Sequence, residues 1–256
     1  MYKVELMLEK TFCHVKGITA HFERLLWERG VEHWDDFLEK ESQLSELPRK
    51  MLDKIKDELP ASKKAFQQKN LRYFQNMLHP KEYWRLVELG KVGFVDIETT
   101  GLSRWSDEIT VIGIYDGKVS HLYVNGKNLI DAKDKLKEFD IVVTFNGKQF
   151  DIPFIEHRFS CSYDFAHLDL RYLLKEFGFQ GGLKSIERQL GIRRDSCVEG
   201  IDGFEAVNLW CQYKRGSDEA LQKLLKYNEQ DIVNLDVLLK HYLKIKKERL
   251  LLNNNV

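Results

Sequence analysis

Four carboxylates and one phenol stand at spacings that could do chemistry. Asp96 and Glu98 lie within the apolar run Phe94-Val95-Asp96-Ile97-Glu98. Side chains alternate along a strand, so both project from one face. Burying paired like charges is costly unless each is paired or bound to a cation, and a divalent cation meets both needs at once. The alternative is that both sit on the solvated face of an edge strand. Asp151 follows Asn146-Gly147-Lys148-Gln149-Phe150, directly after the apolar run 141–145, with Pro153 two residues on. That places Asp151 at a strand-to-helix transition, where a plain helix N-cap is the competing reading. Tyr227 and Asp231 are four residues apart in a long helical stretch and share a face. The same face continues through Leu235, Leu238 and Tyr242. A carboxylate heading an apolar stripe is either a residue at the rim of the core or a ligand.

These residues need elements to position them. Four prolines, at 48, 60, 80 and 153, punctuate the chain. Residues 1–88 read as helical, with Phe22, Leu25, Leu26 and then Trp34, Phe37, Leu38 marking two amphipathic faces on either side of Gly30. Segments 43–58 and 63–78 continue the pattern. From about residue 92 the periodicity changes. Strands are expected at 92–98, 109–115, 118–124 and 141–145, with Asp116-Gly117 as the turn of a hairpin. Helices are expected at 129–139, 152–160, 169–177, 183–190, 203–214 and 217–246. The chain is therefore an α/β domain (89–248) behind a small all-helical one (1–88), with a short tail (249–256).

Composition excludes several classes. With 40 basic and 40 acidic residues the net charge is zero, so any nucleic-acid site must come from local clustering. Four cysteines without CxxC spacing read as reduced thiols, and none of the eight histidines has zinc-ligand spacing. No apolar run approaches the roughly 20 residues of a membrane span, and the N-terminus carries no signal-peptide core. A cytoplasmic protein is expected.

A second candidate site lies at Gly17, Ile18 and Thr19, within Val15-Lys16-Gly17-Ile18-Thr19. A tight glycine hairpin feeding a helix N-terminus suits a phosphate. The segment resembles a helix-hairpin-helix, although that family prefers glycine where Thr19 stands. The competing reading is a helical hairpin that only packs. The basic run Lys63, Lys64, Lys69, Arg72, Lys81, Arg85, Lys91 reads either as a track for a phosphate backbone or as one solvated face. Asp169, in His167-Leu168-Asp169-Leu170, is another Asp at a strand-to-helix junction and is read as a helix cap.

Together, Asp96, Glu98, Asp151 and Asp231 with Tyr227 resemble the DEDD (DnaQ-like) superfamily of 3′–5′ exonucleases on the ribonuclease H-like fold. Asp96-Ile97-Glu98-Thr99-Thr100-Gly101-Leu102 is similar to that family's first motif throughout, and Asn146…Phe150-Asp151 to its second. A Tyr four residues before the last Asp, with Lys at 226, indicates the tyrosine subclass. The resemblance covers about 92–246. More loosely, the whole chain, including Trp84-Arg85-Leu86, is similar to the YprB-like proteins. It implies a ribonuclease H-like mixed sheet flanked by helices. It also implies a two-metal mechanism with two divalent cations, Mg²⁺ or Mn²⁺, held by the four carboxylates. Tyr227 would orient the attacking water. Thr99, Thr100, Gly101 and Leu102 would hold the 3′ end, Leu102 against the last base, with Asn146 and Phe150 lining the same cleft. The implied partner is nucleic acid with a 3′ end, single-stranded DNA being preferred because of the Gly17 hairpin. A structure-specific endonuclease or ribonuclease on the same site is the alternative, and a non-catalytic nucleic-acid-binding module is the second.

Overall fold

The computed structural model describes residues 7–252. The chain divides into two compact units, Met1–Gly90 together with Ile245–Val256, and Lys91–Lys244. Among the described residues, no helix is long and apolar enough to cross a membrane.

The N-terminal unit contains α1 (Ala20–Trp27), α2 (Trp34–Lys40), α3 (Arg49–Gln67) and α4 (Leu71–Met77), with 3₁₀ segments at Glu41–Gln43 and Pro80–Leu86. Phe12, Leu26, Trp34, Phe37, Ile55, Leu59 and Phe74 fill its core, while Leu38 turns outward. α3 passes through Pro60, where the sequence suggested a break between two helices. An interior proline costs about 3 kcal/mol. The unbroken buried stripe Leu52, Ile55, Leu59, Ser62, Ala65 spans both sides of it and outweighs that cost. Arg85 departs from the reading of an exposed basic track. It is buried, and its guanidinium bonds Glu23 (2.6 Å) and Glu82 (2.8 Å).

The second unit is built on β1 (Val92–Thr99), β2 (Ile109–Tyr115), β3 (Ser120–Val124), β4 (Ile141–Thr144) and β5 (Ala166–Asp169). Their order is β3-β2-β1-β4-β5, with β2 antiparallel to both β1 and β3, β4 parallel to β1, and β5 parallel to β4. The helices are α5 (Ala132–Leu136), α6 (Asp151–Phe159), α7 (Leu170–Lys175), α8 (Leu183–Gln189), α9 (Gly203–Lys214) and α10 (Asp218–Leu252), the last of which passes into the first unit at Ile245. This is the mixed sheet flanked by helices that the sequence led us to expect, with helices N-terminal to it. β5 was legible only as the junction before Asp169. Four residues are too few to establish a period, and the strand is defined by its pairing with β4. The expected helix 129–139 is a 3₁₀ turn at Leu129–Asp131 followed by the short α5.

Alternation along β1 decides what lies on each side. Val95 and Ile97 join Ile112 and Val142 against Leu136 of α5 and Phe154, Ile155 and Phe159 of α6. On the other face, Val111 and Val124 pack with Ala206, Leu209 and Trp210 of α9 and Leu221 and Leu224 of α10. Asp96 and Glu98, one residue out of phase with Val95 and Ile97, face the α9–α10 side.

Candidate active site

Asp96 and Glu98 lie at the end of β1, where the pairing with β2 slips by one residue between Glu98 and Thr99. Such a bulge ends regular pairing and re-aims the chain. The following loop is braced by its own polar groups. Thr99 Oγ1 donates to the Gly101 carbonyl (2.6 Å), and Glu108 N–H donates to Thr100 Oγ1 (2.9 Å). Asp151 opens α6, and the Ile97 N–H donates to its Oδ1 at 3.2 Å. Tyr227 and Asp231 descend from α10, one turn apart. α10 can come this close because Gly113 of β2 pairs with Asp96 and has no side chain: a Cβ there would lie 2.1 Å from Asn228 Oδ1. Asn228 Nδ2 donates to Asp96 Oδ2 at 2.8 Å, which ties the helix to the strand at the site itself.

All the residues that the sequence assigned to the nuclease site line one cleft of about 620 Å³. They are Asp96, Glu98, Thr99, Thr100, Gly101 and Leu102 from β1 and its loop, Asn146, Phe150 and Asp151 before and at α6, and Tyr227 and Asp231 from α10. One ligand oxygen from each of Asp96, Glu98 and Asp231 falls within 4.8 Å of the others. Asp151 lines the same cleft outside that closest group. Leu102 is 87% exposed. Asn146 holds positive φ, a conformation Asn tolerates well, and its amide oxygen accepts from Arg171 (2.7 Å). Gly17, Ile18 and Thr19 belong to the N-terminal unit. Gly17 has φ +93°, the Thr19 hydroxyl caps α1 by accepting from Phe22 N–H, and the Ile18 N–H is already spent on the Val15 carbonyl (2.9 Å). Asp169 caps α7 through Arg171 N–H (3.1 Å) and also clamps the loop before α6 through Asn146 N–H (2.8 Å) and Lys148 N–H (3.0 Å).

Burial and mutual repulsion set the electrostatics. Burial raises Asp96 well above the usual carboxylate range, and the charges of Asp231, Asp151 and Glu98 add to the rise. Burial also raises Glu98, with Asp231 contributing. Asp151 is pushed up to about 7 by burial against the pull of its backbone hydrogen bonds. Asp231 is pushed to about 6 by burial, moderated by Arg194. Burial raises the Tyr227 phenol as well, followed by the charge of Asp231, so it stays neutral at any physiological pH.

A divalent cation fits this donor set. The closest group is three carboxylates, with no histidine or cysteine among the described residues lining the cleft, which suits a hard ion. Glu98 Oε1 is buried with no hydrogen-bond partner, a costly state that a cation would relieve. Asp231 offers one oxygen to Arg194 and keeps the other for a ligand.

The sequence reading missed several neighbours. Phe204 of α9, 75% exposed, lines the cleft together with Val207. Arg194 bonds Asp231 and is itself held by both oxygens of buried Glu187 (2.6 and 2.7 Å), which also accepts from Asn234 (2.9 Å). Lys184 places its ammonium 4.6 Å from the centroid of the Tyr227 ring. Asn234 stands seven residues after Tyr227 on the same helix, two turns along, and that spacing was the one legible signal among them.

A family model described as RNase_H superfamily (RNase_H_2) matches residues 93–243. Among solved structures, the chain is similar to the family B DNA polymerase from the hyperthermophilic archaeon Pyrobaculum calidifontis. The identity is 17% and the TM-score 0.47, over 60% of this chain and 24% of that one. It is also similar to Brucella melitensis NrnC bound to pGG, with 19% identity and TM-score 0.44 over 64% of this chain and 78% of that one. The same protein with bound Mg²⁺ gives 19% identity and TM-score 0.43, over 64% and 79%. No curated protein matches the sequence.

Proposed function

The chain belongs to the RNase_H superfamily, and from that premise we propose that it is a metal-dependent 3′–5′ exonuclease of the DEDD tyrosine subclass, YprB-like in its overall organisation. The observation that carries this reading is the convergence of Asp96, Glu98 and Asp231 within 4.8 Å, in a cleft that Asp151 and Tyr227 also line.

Asp96, Glu98, Asp151 and Asp231 would hold two divalent cations, Mg²⁺ or Mn²⁺, which when bound would supply water activation and charge neutralisation at the leaving 3′-oxygen. The rest falls to the chain's own groups. Tyr227, a neutral phenol, orients the attacking water by hydrogen bonding and does not take its proton. The braced loop Thr99–Leu102 holds the terminal nucleotide, with Leu102 against the last base. Asn146, Phe150 and Phe204 line the same cleft. Hydrolysis releases nucleoside 5′-monophosphates. The preferred substrate is a single-stranded DNA end, on the likeness of the Val15–Thr19 sequence to a helix-hairpin-helix.

Single- and double-stranded DNA and RNA, labelled at either end, are incubated with Mg²⁺, Mn²⁺ or EDTA. The expected result is stepwise loss from the 3′ end with either metal and none in EDTA. Internal cuts as first products would replace this reading by an endonuclease. Binding without any cleavage would leave a nucleic-acid-binding module.

A further inference from the structure

Beside the carboxylate cleft lies a second cavity of about 440 Å³ whose character is opposite. Lys184, Arg188, Arg193 and Arg194 line it, against Glu187 and Glu199. Glu187 is not free to repel an incoming anion, because Arg194 and Asn234 occupy its oxygens. Arg188 and Arg193 are exposed, and among the described residues neither side chain has an ion-pair or hydrogen-bond partner. Arg194 supplies an observation independent of charge counting. Its side chain is only 9% exposed, yet its Nη1 has no partner. A buried donor left unsatisfied is costly, and more so when it belongs to a charged group. Arg194 also lines the groove, so an anionic oxygen seated there would lie against its guanidinium.

The two cavities share no lining residue, but their linings touch. Lys184 Nζ lies 4.6 Å and Arg194 Cζ 5.7 Å from the centroid of the Tyr227 ring, and Tyr227 lines the cleft. A polyanion seated only at four carboxylates would find no attraction beyond bound cations, whereas the groove offers fixed positive charge one side chain away. We propose that this groove is a phosphodiester subsite. It holds the backbone of a single-stranded polynucleotide on the 5′ side of the nucleotide seated in the cleft. The proposal rests on the nuclease reading of the cleft.

The test leaves Lys184 and Arg194 untouched and uses the double variant Arg188→Gln/Arg193→Gln in the full chain. Binding of a fluorescent oligothymidylate of about twelve nucleotides is followed by anisotropy in EDTA, where nothing is cleaved. Losing two phosphate contacts should make the slope of log K against log salt shallower by about 1.4. Between about 50 and 200 mM salt the variant should then lose about sevenfold less affinity than the parent. In parallel, the p-nitrophenyl ester of thymidine 5′-monophosphate, which carries no 5′-side phosphodiester, is offered with Mg²⁺ and Mn²⁺. Parent and variant should hydrolyse it equally.

An unchanged salt slope overturns the groove, whatever the ester shows. A slower ester reaction in the variant also overturns it, since the arginines would then act on the cleft. Displacement of the oligomer by inorganic phosphate at matched ionic strength would mark a free-phosphate site and overturn it too. If the parent hydrolyses neither ester nor oligomer, the nuclease reading falls and takes the proposal with it. The anisotropy result still stands in that case, so the two failures are told apart.

Discussion

Asp96→Asn isolates the repulsion on which the site is built. The ligand oxygens of Asp96, Glu98 and Asp231 lie within 4.8 Å of one another. At that distance and an effective dielectric near 20, each fully ionised pair costs about 3.5 kcal/mol. Burial raises all three above the usual carboxylate range, neighbouring carboxylates adding to the rise at Asp96 and Glu98, so the metal-free chain limits this cost by holding protons. The sign of the pH dependence follows. A carboxyl whose folded pKa exceeds its unfolded value keeps a proton that the unfolded chain releases. Stability is therefore full below the unfolded value near 4 and is lost as pH rises through the folded values, about 6 for Asp231 and about 7 for Asp151, with Asp96 and Glu98 raised in the same direction. The loss per proton is about 1.4 kcal/mol per pH unit.

Asn at position 96 removes one member of the set while keeping an oxygen to accept from Asn228 Nδ2. In EDTA at about pH 4, where the unfolded chain also holds the proton, the two proteins should be close in stability. At pH 8 the variant should be the more stable, by up to the roughly 3.5 kcal/mol of one ionised pair that it removes. Part of the 3.5 kcal/mol per pair is screened because Asp96 is only half-buried. Urea unfolding followed by far-UV circular dichroism at both pH values reads the difference. Adding Mg²⁺ should stabilise the parent, by about 2.7 kcal/mol at a hundred times its dissociation constant, and the variant far less. A variant less stable than the parent at pH 8 in EDTA, with an unchanged dependence on urea, would refute the reasoning and make Asp96 a structural acceptor.

Three further outcomes are expected. Gly113→Ala puts a Cβ about where Asn228 Oδ1 now sits, so α10 must shift; metal-dependent cleavage should fall at least about tenfold with the fold retained by circular dichroism, since a small misplacement of catalytic groups can cost up to a hundredfold, and full activity would show that the Asn228 side chain simply rotates away. Asp169→Asn keeps only one strong acceptor for three backbone donors and should cost about 1–2 kcal/mol in urea unfolding, while the cleavage rate at saturating substrate survives; a loss matching that of Asp151→Asn would make Asp169 part of the chemistry. Glu187→Gln strands the buried Arg194 with Asp231 as its one remaining carboxylate and should destabilise by about 3 kcal/mol, with weaker Mn²⁺ binding by calorimetry as Arg194 leans harder on Asp231; unchanged Mn²⁺ affinity would sever Glu187 from the site.

What the sequence disclosed follows from how local each signal is. Asp96 and Glu98 are two residues apart, and Tyr227 and Asp231 four, so period alone places each pair on one face. That these pairs and Asp151 meet in one cleft is a matter of sheet order, which no local period contains. It became legible through the likeness of three motifs to a known arrangement, and the lining of the cleft shows that the residues meet without assigning their roles. The Asp116-Gly117 turn was readable for a related reason: Asp116 Oδ1 accepts from Lys118 N–H and Val119 N–H, bonds made within four residues. β5 and the unbroken α3 were hidden because their causes are tertiary, a parallel partner for the one and a buried stripe on both sides of Pro60 for the other.

The cations beside the cleft explain the limit best. Lys184, Glu187 and Arg194 have ordinary spacings on a short helix and the loop after it, and Arg194 is separated from Asp231 by 37 residues. Nothing in their period marks them as neighbours of a carboxylate. The pressure to place a cation there arises only after folding, when Asp231 is buried next to Glu98 and Asp96 and one of its oxygens lacks a counter-charge. Arg suits that place better than Lys because its fork can bond Glu187 through Nε and Nη2 while the same Nη2 reaches Asp231. Such a residue answers a field created by the whole fold, so it is found by asking which buried charge is unbalanced and not by reading along the chain. The same question, put to Glu98 Oε1, points to a cation that the chain itself does not supply.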